Sequence, residues 1–279
     1  MGAAGDIVIR RLVEADLPDA MALVRAAGWN QIEEDWRNLL ALEPEGCFAL
    51  ESGGKVVSTA TAVRHGGGLA WIGMVLTDPA HRGRGHARRL MERALEYLDE
   101  QGVPWSKLDA TAMGHHLYAT LGYVDEGAAE RWRRDPSLGA CGREASLAYE
   151  PMPELDLAAF GADRSRLLDY LRRYDAASVP GAGFAFGRPG NSAAYFGPCV
   201  CRLADAARVL LERYLAAHSH EPVYWDILPA NREALRLAEE YGFERQRILT
   251  RMGRSARSGT APLGKNDQYV FALAGFEYG

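Results

Sequence analysis

Apolar residues along this chain change their spacing at regular intervals, and the changes predict alternating strands and helices. A strand over 7–11 gives way to a helix opened by Asp16, with Leu17, Ala20, Met21 and Val24 at the spacing of one buried helical face. A short helix over 32–42 follows the loop Gly28-Trp29-Asn30-Gln31. Two strands, 47–51 and 55–64, flank Ser52-Gly53-Gly54, where glycine supplies the positive φ of a tight turn. A third strand over 69–76 leads through Thr77-Asp78-Pro79 to a helix carrying Leu90, Ala94, Leu95 and Leu98 on one face, stopped at Gln101-Gly102. A strand over 106–111 and a helix over 115–121, ended by Gly122, complete the unit.

From about Glu150 the second half of this order recurs: a hairpin (184–196), a helix (203–217), a strand (223–228), a helix (231–241), Gly242 and a strand (247–252). The recurrence predicts an internal duplication, with a linker near 150–160 where Pro151-Met152-Pro153 interrupts regular structure. The halves 1–150 and 151–279 are the expected domains.

Composition narrows the possibilities. With 279 residues, 48% of them apolar and 25% charged, the chain can bury a substantial core, and it contains no run of about 20 apolar residues to span a membrane. Met1–Asp6 lacks the basic and apolar character of a leader, which predicts a cytoplasmic protein. A net charge of −5 gives no general attraction for nucleic acid. Cys47, Cys141, Cys199 and Cys201 lack zinc-ligand spacing, so reduced thiols and no metal are expected.

The densest chemistry lies in Met74-Val75-Leu76-Thr77-Asp78-Pro79-Ala80-His81-Arg82-Gly83-Arg84-Gly85-His86-Ala87, between a predicted strand and a predicted helix. Such a turn aims free backbone N–H groups and the positive end of a helix dipole at one point. Gly83 and Gly85 permit close approach of an anion, and His86, Arg88 and Arg89 begin the helix. The ligand this suits is a pyrophosphate. Neither Gly-x-Gly-x-x-Gly nor Gly-Lys-Ser/Thr is present at this turn.

Arg82-x-x-Gly85-x-Ala87 resembles the acyl-coenzyme A signature of the GCN5-related N-acetyltransferase (GNAT) superfamily, and Leu117-Tyr118-Ala119-Thr120-Leu121-Gly122-Tyr123 resembles its second signature. The early Gly28-Trp29-Asn30-Gln31 and the late Gly275-Phe276-Glu277 resemble a bacterial subgroup of two-domain GNAT proteins related to YitH and holothin acyltransferase. The resemblance implies an α/β (α+β) protein of tandem GNAT folds, each a mixed, centrally splayed sheet flanked by helices. It implies acetyl-CoA as co-substrate, held by Val75, Leu76, Thr77, Arg82, Gly83, Arg84, Gly85, His86 and Ala87, with a backbone N–H of Val75 or Leu76 as oxyanion donor.

By the same resemblance Tyr118 is the general acid, although a tyrosine at this point of a helix also serves as packing. The glutamate that many relatives carry on the strand before the turn is missing from Leu69–Leu76, which leaves Asp109 and His116, with His115 and Glu33, Glu34 or Asp35, as candidate bases. Trp29, Asn30, Trp36 and Trp71 are candidate walls for the acceptor. In the second half Ala238 stands where Tyr118 stands, and Cys199–Ala204, set opposite Arg82–Ala87, lacks both glycines. One competent site per chain is therefore expected, with the second half shaping the acceptor cleft.

The function this implies is acetyl transfer from acetyl-CoA to the amine of a small molecule, by a monomer or homodimer without nucleic acid, membrane or metal. The alternatives are an acyl-CoA sensor, or decarboxylation or O- or S-acyl transfer on the same fold.

Overall fold

A computed structural model describes residues 7–136, 147–257 and 259–279. Cys141 and the leader reading of Met1–Asp6 lie outside these residues. The first half runs β1 (Ile7–Arg11), α1 (Leu17–Ala27), α2 (Glu33–Leu42), β2 (Cys47–Ser52), β3 (Lys55–His65), β4 (Leu69–Thr77), α3 (His86–Glu100), β5 (Trp105–Ala110), α4 (Ala112–Thr120) and β6 (Val124–Arg134). The second runs α5 (Pro153–Phe160), α6 (Ser165–Leu171), β7 (Asp175–Val179), β8 (Gly183–Arg188), β9 (Ala194–Cys201), α7 (Ala204–Ala217), β10 (Val223–Ile227), α8 (Arg232–Glu240), β11 (Glu244–Ser255) and β12 (Val270–Ala272). α5 occupies the segment expected as a linker: Pro153 sits at the first helical position, where its missing N–H costs nothing and its fixed φ suits the helix.

Period-two alternation assigns the two faces of the sheet. In β2, Cys47 and Ala49 join a core with Leu17, Val24, Trp36 and Leu39 of α1 and α2, whereas Phe48 and Leu50 join a second core with Leu90, Ala94 and Leu98 of α3. The first of these cores also takes Leu155 and Leu167 of α5 and α6 and Phe184 and Phe186 of β8, so both halves share it.

The strands form a single sheet in the order β1-β2-β3-β4-β5-β11-β6-β10-β9-β8-β7, with β12 added beside β9. Each half has handed its last long strand to the other. β11 lies against β5, and β6 lies against β10. A buried ion pair clasps each exchange: Arg251 of β11 donates to both oxygens of Asp109 on β5 at 2.9 and 2.8 Å, and Arg131 of β6 donates to both oxygens of Asp226 on β10 at 2.7 and 2.6 Å. The bidentate geometry is the strong form of this interaction.

Two splays open the sheet. β4 and β5 run parallel and pair only from Leu69↔Trp105 to Trp71↔Lys107, and β9 and β10 pair only from Ala194↔Val223 to Phe196↔Trp225. On the other side of β4 the register against β3 shifts between Thr59 and Thr61, Met74 adopts φ 49°, and Thr59 Oγ1 donates to the Met74 carbonyl at 2.8 Å. A bulge of this kind turns the strand and re-aims its backbone. Among the described residues, no helix is long and apolar enough to cross a membrane.

Candidate functional site

The splay beside β4 opens into a cleft that runs from the N-terminus of α3 to the interior of the molecule. Its outer part, about 1880 Å³ of empty space counted out to bulk solvent, is lined by Val75, Leu76 and Thr77, by Arg82, Gly83, Gly85, His86 and Ala87, and by Leu117 and Tyr118 of α4. An inner part of about 550 Å³, counted the same way, continues past Tyr118 to Gly73, Gln31, Asp109, Phe276 and Glu277. Trp29, Val75, Thr111, Tyr118 and Arg247 line both parts and mark their junction.

The outer part combines a glycine turn with a helix N-terminus. Gly83 and Gly85 adopt φ of 73° and 76°, and Gly85 caps α3, so the turn requires a conformation that side chains disfavour. An added Cβ at either glycine meets no protein atom within 4 Å, so backbone conformation rather than crowding explains the glycines. His86 lies buried in the first turn with Nδ1 unpartnered. Burial and the neighbouring charge of His81 lower its pKa, which favours the neutral ring. Arg84 is turned away, donating to the Ala80 carbonyl at 3.1 Å, and is the one expected CoA residue outside the lining of the cleft. An orphaned buried nitrogen, two positive-φ glycines and the start of a 15-residue helix together suit a pyrophosphate and its pantetheine arm.

Tyr118 stands at the junction. Gly114, one turn earlier in α4, lets its ring lie across the helix: a Cβ at Gly114 would come within 2.7 Å of the ring. The Tyr118 hydroxyl makes no hydrogen bond with any described residue, and burial alone pushes its pKa up, keeping it a proton donor at neutral pH.

The expected bases fare differently. Asp109 does line the inner cavity, but both its oxygens are committed to Arg251. His116 is exposed on α4 and lines neither part of the cleft, and His115 pairs with Asp125 at 2.8 Å. Asp35 accepts from Arg188 at 3.1 Å, outside the cleft.

Of the acceptor walls, only Trp29 reaches the cleft. Asn30 is spent on the second half, donating to the Ala193 carbonyl and accepting from the N–H groups of Ser192 and Ala193. Trp36 is fully buried between helix and sheet, and Trp71 is buried beneath residues 276–279, its Nε1 donating to the Phe276 carbonyl at 3.0 Å. Neither lines the cleft.

Sequence reasoning missed Glu277 as a site residue. The segment after β12 crosses the splay and lays Glu277 on β4, where a Cβ on Gly73 would meet the Glu277 Cα at 2.9 Å. A carboxylate thus arrives beside the strand that lacks its own, and a glycine in mid-strand was the available sign of such close backbone approach. Glu277 is buried, accepts from Gln31 Nε2 at 2.7 Å and pairs with Arg188. Burial raises its pKa, the charge of Arg188 opposing the shift.

The corresponding turn of the second half is absent. β9 continues through Cys199 and Cys201, both buried, and only Arg202 and Leu203 separate it from α7, whose cap is Leu203. The counterpart of Gly85 is therefore Leu203, one position beyond the Arg202 expected from sequence, and Cys199–Cys201 belong to the strand. The splay itself holds β12, which pairs with β9 through Val200↔Val270 and Cys199↔Ala272. The Phe271 carbonyl accepts from Trp225 Nε1 at 2.8 Å, and Asn231 Nδ2 donates to the carbonyls of Gln268 and Val270, each at 3.0 Å. No group of three or more metal-ligating side chains occurs among the described residues.

Comparison with known proteins agrees with this architecture. Residues 11–123 match the model of the Acetyltransferase (GNAT) family, and residues 152–271 match that of an Acetyltransferase (GNAT) domain. The chain is 27% identical to the uncharacterized N-acetyltransferase YitH of Bacillus subtilis over 236 residues, covering 78% of this chain and 80% of YitH. A crystal structure from Pyrococcus horikoshii superposes with a TM-score of 0.81 at 20% identity, covering 98% of this chain and 96% of that one. A tandem GNAT protein from the clavulanic acid biosynthesis pathway superposes with a TM-score of 0.62 at 17% identity, covering 91% and 100%.

Proposed function

Because this chain belongs to the GCN5-related N-acetyltransferase family and carries two of its domains in tandem, we propose that its first half transfers the acetyl group of acetyl-CoA to the amine of a small molecule. The observation that carries this reading is the continuous cleft leading from the glycine turn at Gly83–Gly85 to Glu277, with the unbonded Tyr118 hydroxyl at its narrowing.

Each part has a task. The N–H groups at the start of α3, with Arg82 and His86, hold the pyrophosphate. The edge of β4 beyond Trp71, left without a β5 partner, receives the pantetheine arm and brings the thioester to the Met74 bulge. The N–H of Val75 or Leu76 stabilises the oxyanion as the amine nitrogen bonds to the carbonyl carbon. Both Asp109 oxygens are held by a guanidinium, whereas Glu277 has one oxygen on Arg188 and the other only on the neutral Gln31 amide. Through the latter oxygen Glu277 takes a proton from the amine nitrogen, and its raised pKa brings it closer to the pH at which an amine must be deprotonated. As the carbon–sulfur bond breaks, the Tyr118 hydroxyl gives its proton to the thiolate. Exchange with water resets both groups.

Calorimetric titration with acetyl-CoA tests the reading. One site per chain is expected, lost in Gly85→Glu, which places a strained residue and a negative charge in the anion cradle. Two sites would restore competence to the second half, and no binding to the wild type would overturn the reading.

A further inference from the structure

Arg247 of β11 stands at the junction of the two parts of the cleft and has no ion-pair partner among the described residues. Its guanidinium makes no hydrogen bond or ion pair with any described residue, and its Nε is buried and unpartnered. Its neighbours explain how it is held. The guanidinium lies over the Phe276 ring, 5.3 Å from the centroid, and the same ring receives Arg131 at 4.7 Å. Arg131 is paired with Asp226, and Arg188 with both Asp35 and Glu277, whereas Arg247 lines the cavity without an ion-pair partner of its own among the described residues. Burial, followed by repulsion from Arg131, lowers its pKa, and the charges of Asp226 and Glu277 oppose the shift.

Across the cavity the unmet need has the opposite character. Gln31 is 6% exposed and gives its Nε2 to Glu277, but its Oε1 is buried with no donor. A buried acceptor without a donor, beside a carboxylate, calls for an N–H group, and a half-buried guanidinium whose Nε is closed off from solvent without an acceptor favours an anion. The planar donor fork of arginine fits a carboxylate best.

Resting on the transfer reading above, we propose that the acceptor is an amino acid or a molecule of that kind, its carboxylate held by Arg247 and its amine placed between Gln31 Oε1 and Glu277. This arrangement turns the amine toward Val75 and the thioester while Arg247 fixes the other end. A dicarboxylic acyl chain on the coenzyme is the other source of a carboxylate at this point, and it would leave Gln31 Oε1 unmet.

Two sets of matched probes separate the possibilities. Protein saturated with CoA is screened by thermal shift against the twenty N-acetyl amino acids, which are product analogues, and against their twenty N-acetyl amides. Acetyl-CoA and succinyl-CoA are compared by calorimetry. Each set is repeated with Arg247→Gln and Arg247→Lys, after their melting has been shown to be cooperative. At least one acid is expected to raise Tm by several degrees where its amide does not. Arg247→Gln should erase that difference, and Arg247→Lys should retain part of it. Wild-type protein should bind acetyl-CoA at least as tightly as succinyl-CoA. Acids and amides that shift equally, the absence of any shift, or a preference that survives Arg247→Gln overturns the proposal. A tenfold preference for succinyl-CoA that disappears in Arg247→Gln overturns the acceptor assignment and moves the carboxylate to the acyl chain. Failure of acetyl-CoA to bind the wild type would instead count against the transfer reading itself.

Discussion

β4 and β9 part from their parallel neighbours at matching places, yet the gap beside β4 opens into a cleft, whereas the gap beside β9 holds β12. The difference extends along both units. Beyond β4 the chain makes the loop 78–85 with two positive-φ glycines, and beyond β9 it passes almost directly into α7. Where the first unit carries Tyr118, the second carries the fully buried Ala238. The second unit therefore differs by more than lost residues: its own polypeptide makes the backbone contacts that a pantetheine arm would make in the first. A splayed sheet is a place to add a strand, and in the second unit the protein itself supplies that strand.

Four measurements test this contrast. The largest effect is expected for Gly85→Glu, with acetyl-CoA binding abolished in calorimetry; residual binding at half occupancy would mean that the second unit is competent. Next, Arg251→Ala leaves Asp109 buried without its cation and should cost about 3–5 kcal/mol of unfolding free energy in urea. A loss below about 1 kcal/mol would mean that the exchange between the units is not clasped there. Tyr118→Phe should lower kcat about 100-fold while leaving the Kd for acetyl-CoA within a few-fold, and an unchanged kcat would reduce Tyr118 to a packing residue like its counterpart.

The last effect, absent at neutral pH, concerns His65 of β3, whose neutral ring donates to the Tyr278 carbonyl at 3.0 Å. Burial, helped by the charge of Arg164, lowers its pKa to about 3. Between pH 6.5 and 3 the unfolded chain binds a proton there that the folded chain refuses, so stability falls as pH falls through that window. The slope is at most about 1.4 kcal/mol per pH unit. Urea titrations of His65→Asn across the window should show a shallower decline than wild type.

The first cleft was legible in the sequence because its requirements are local. Gly83 and Gly85 are fixed by positive φ, so a short motif carries them, whereas α4 begins at Ala112 behind its cap Thr111, earlier than the His115 expected from the sequence. The helical spacing of Leu90, Ala94 and Leu98 likewise foretold α3. What stayed hidden depends on residues far apart in the chain. β12 is three residues long and has no period to detect, and Glu277 belongs to the site only because Gly73 admits its backbone. Asp109 looked free for catalysis until β11, a strand from the other half, brought Arg251 to it. Trp36 and Trp71 show the same limit from the other side, since composition does not tell a buried indole from one that lines a ligand.

The exchange of β6 and β11 has a consequence for synthesis. As the chain leaves the ribosome, residues 7–136 can form most of a sheet, but the place beside β5 waits for β11, and the inner cavity waits for residue 277. The nascent first half carries an unsatisfied strand edge throughout that interval, the kind of surface that holdase chaperones cover and that pairs wrongly with neighbouring chains. Translation that stalls before codon 244 yields a chain that has the glycine turn at Gly83–Gly85 but lacks both β11 and Glu277.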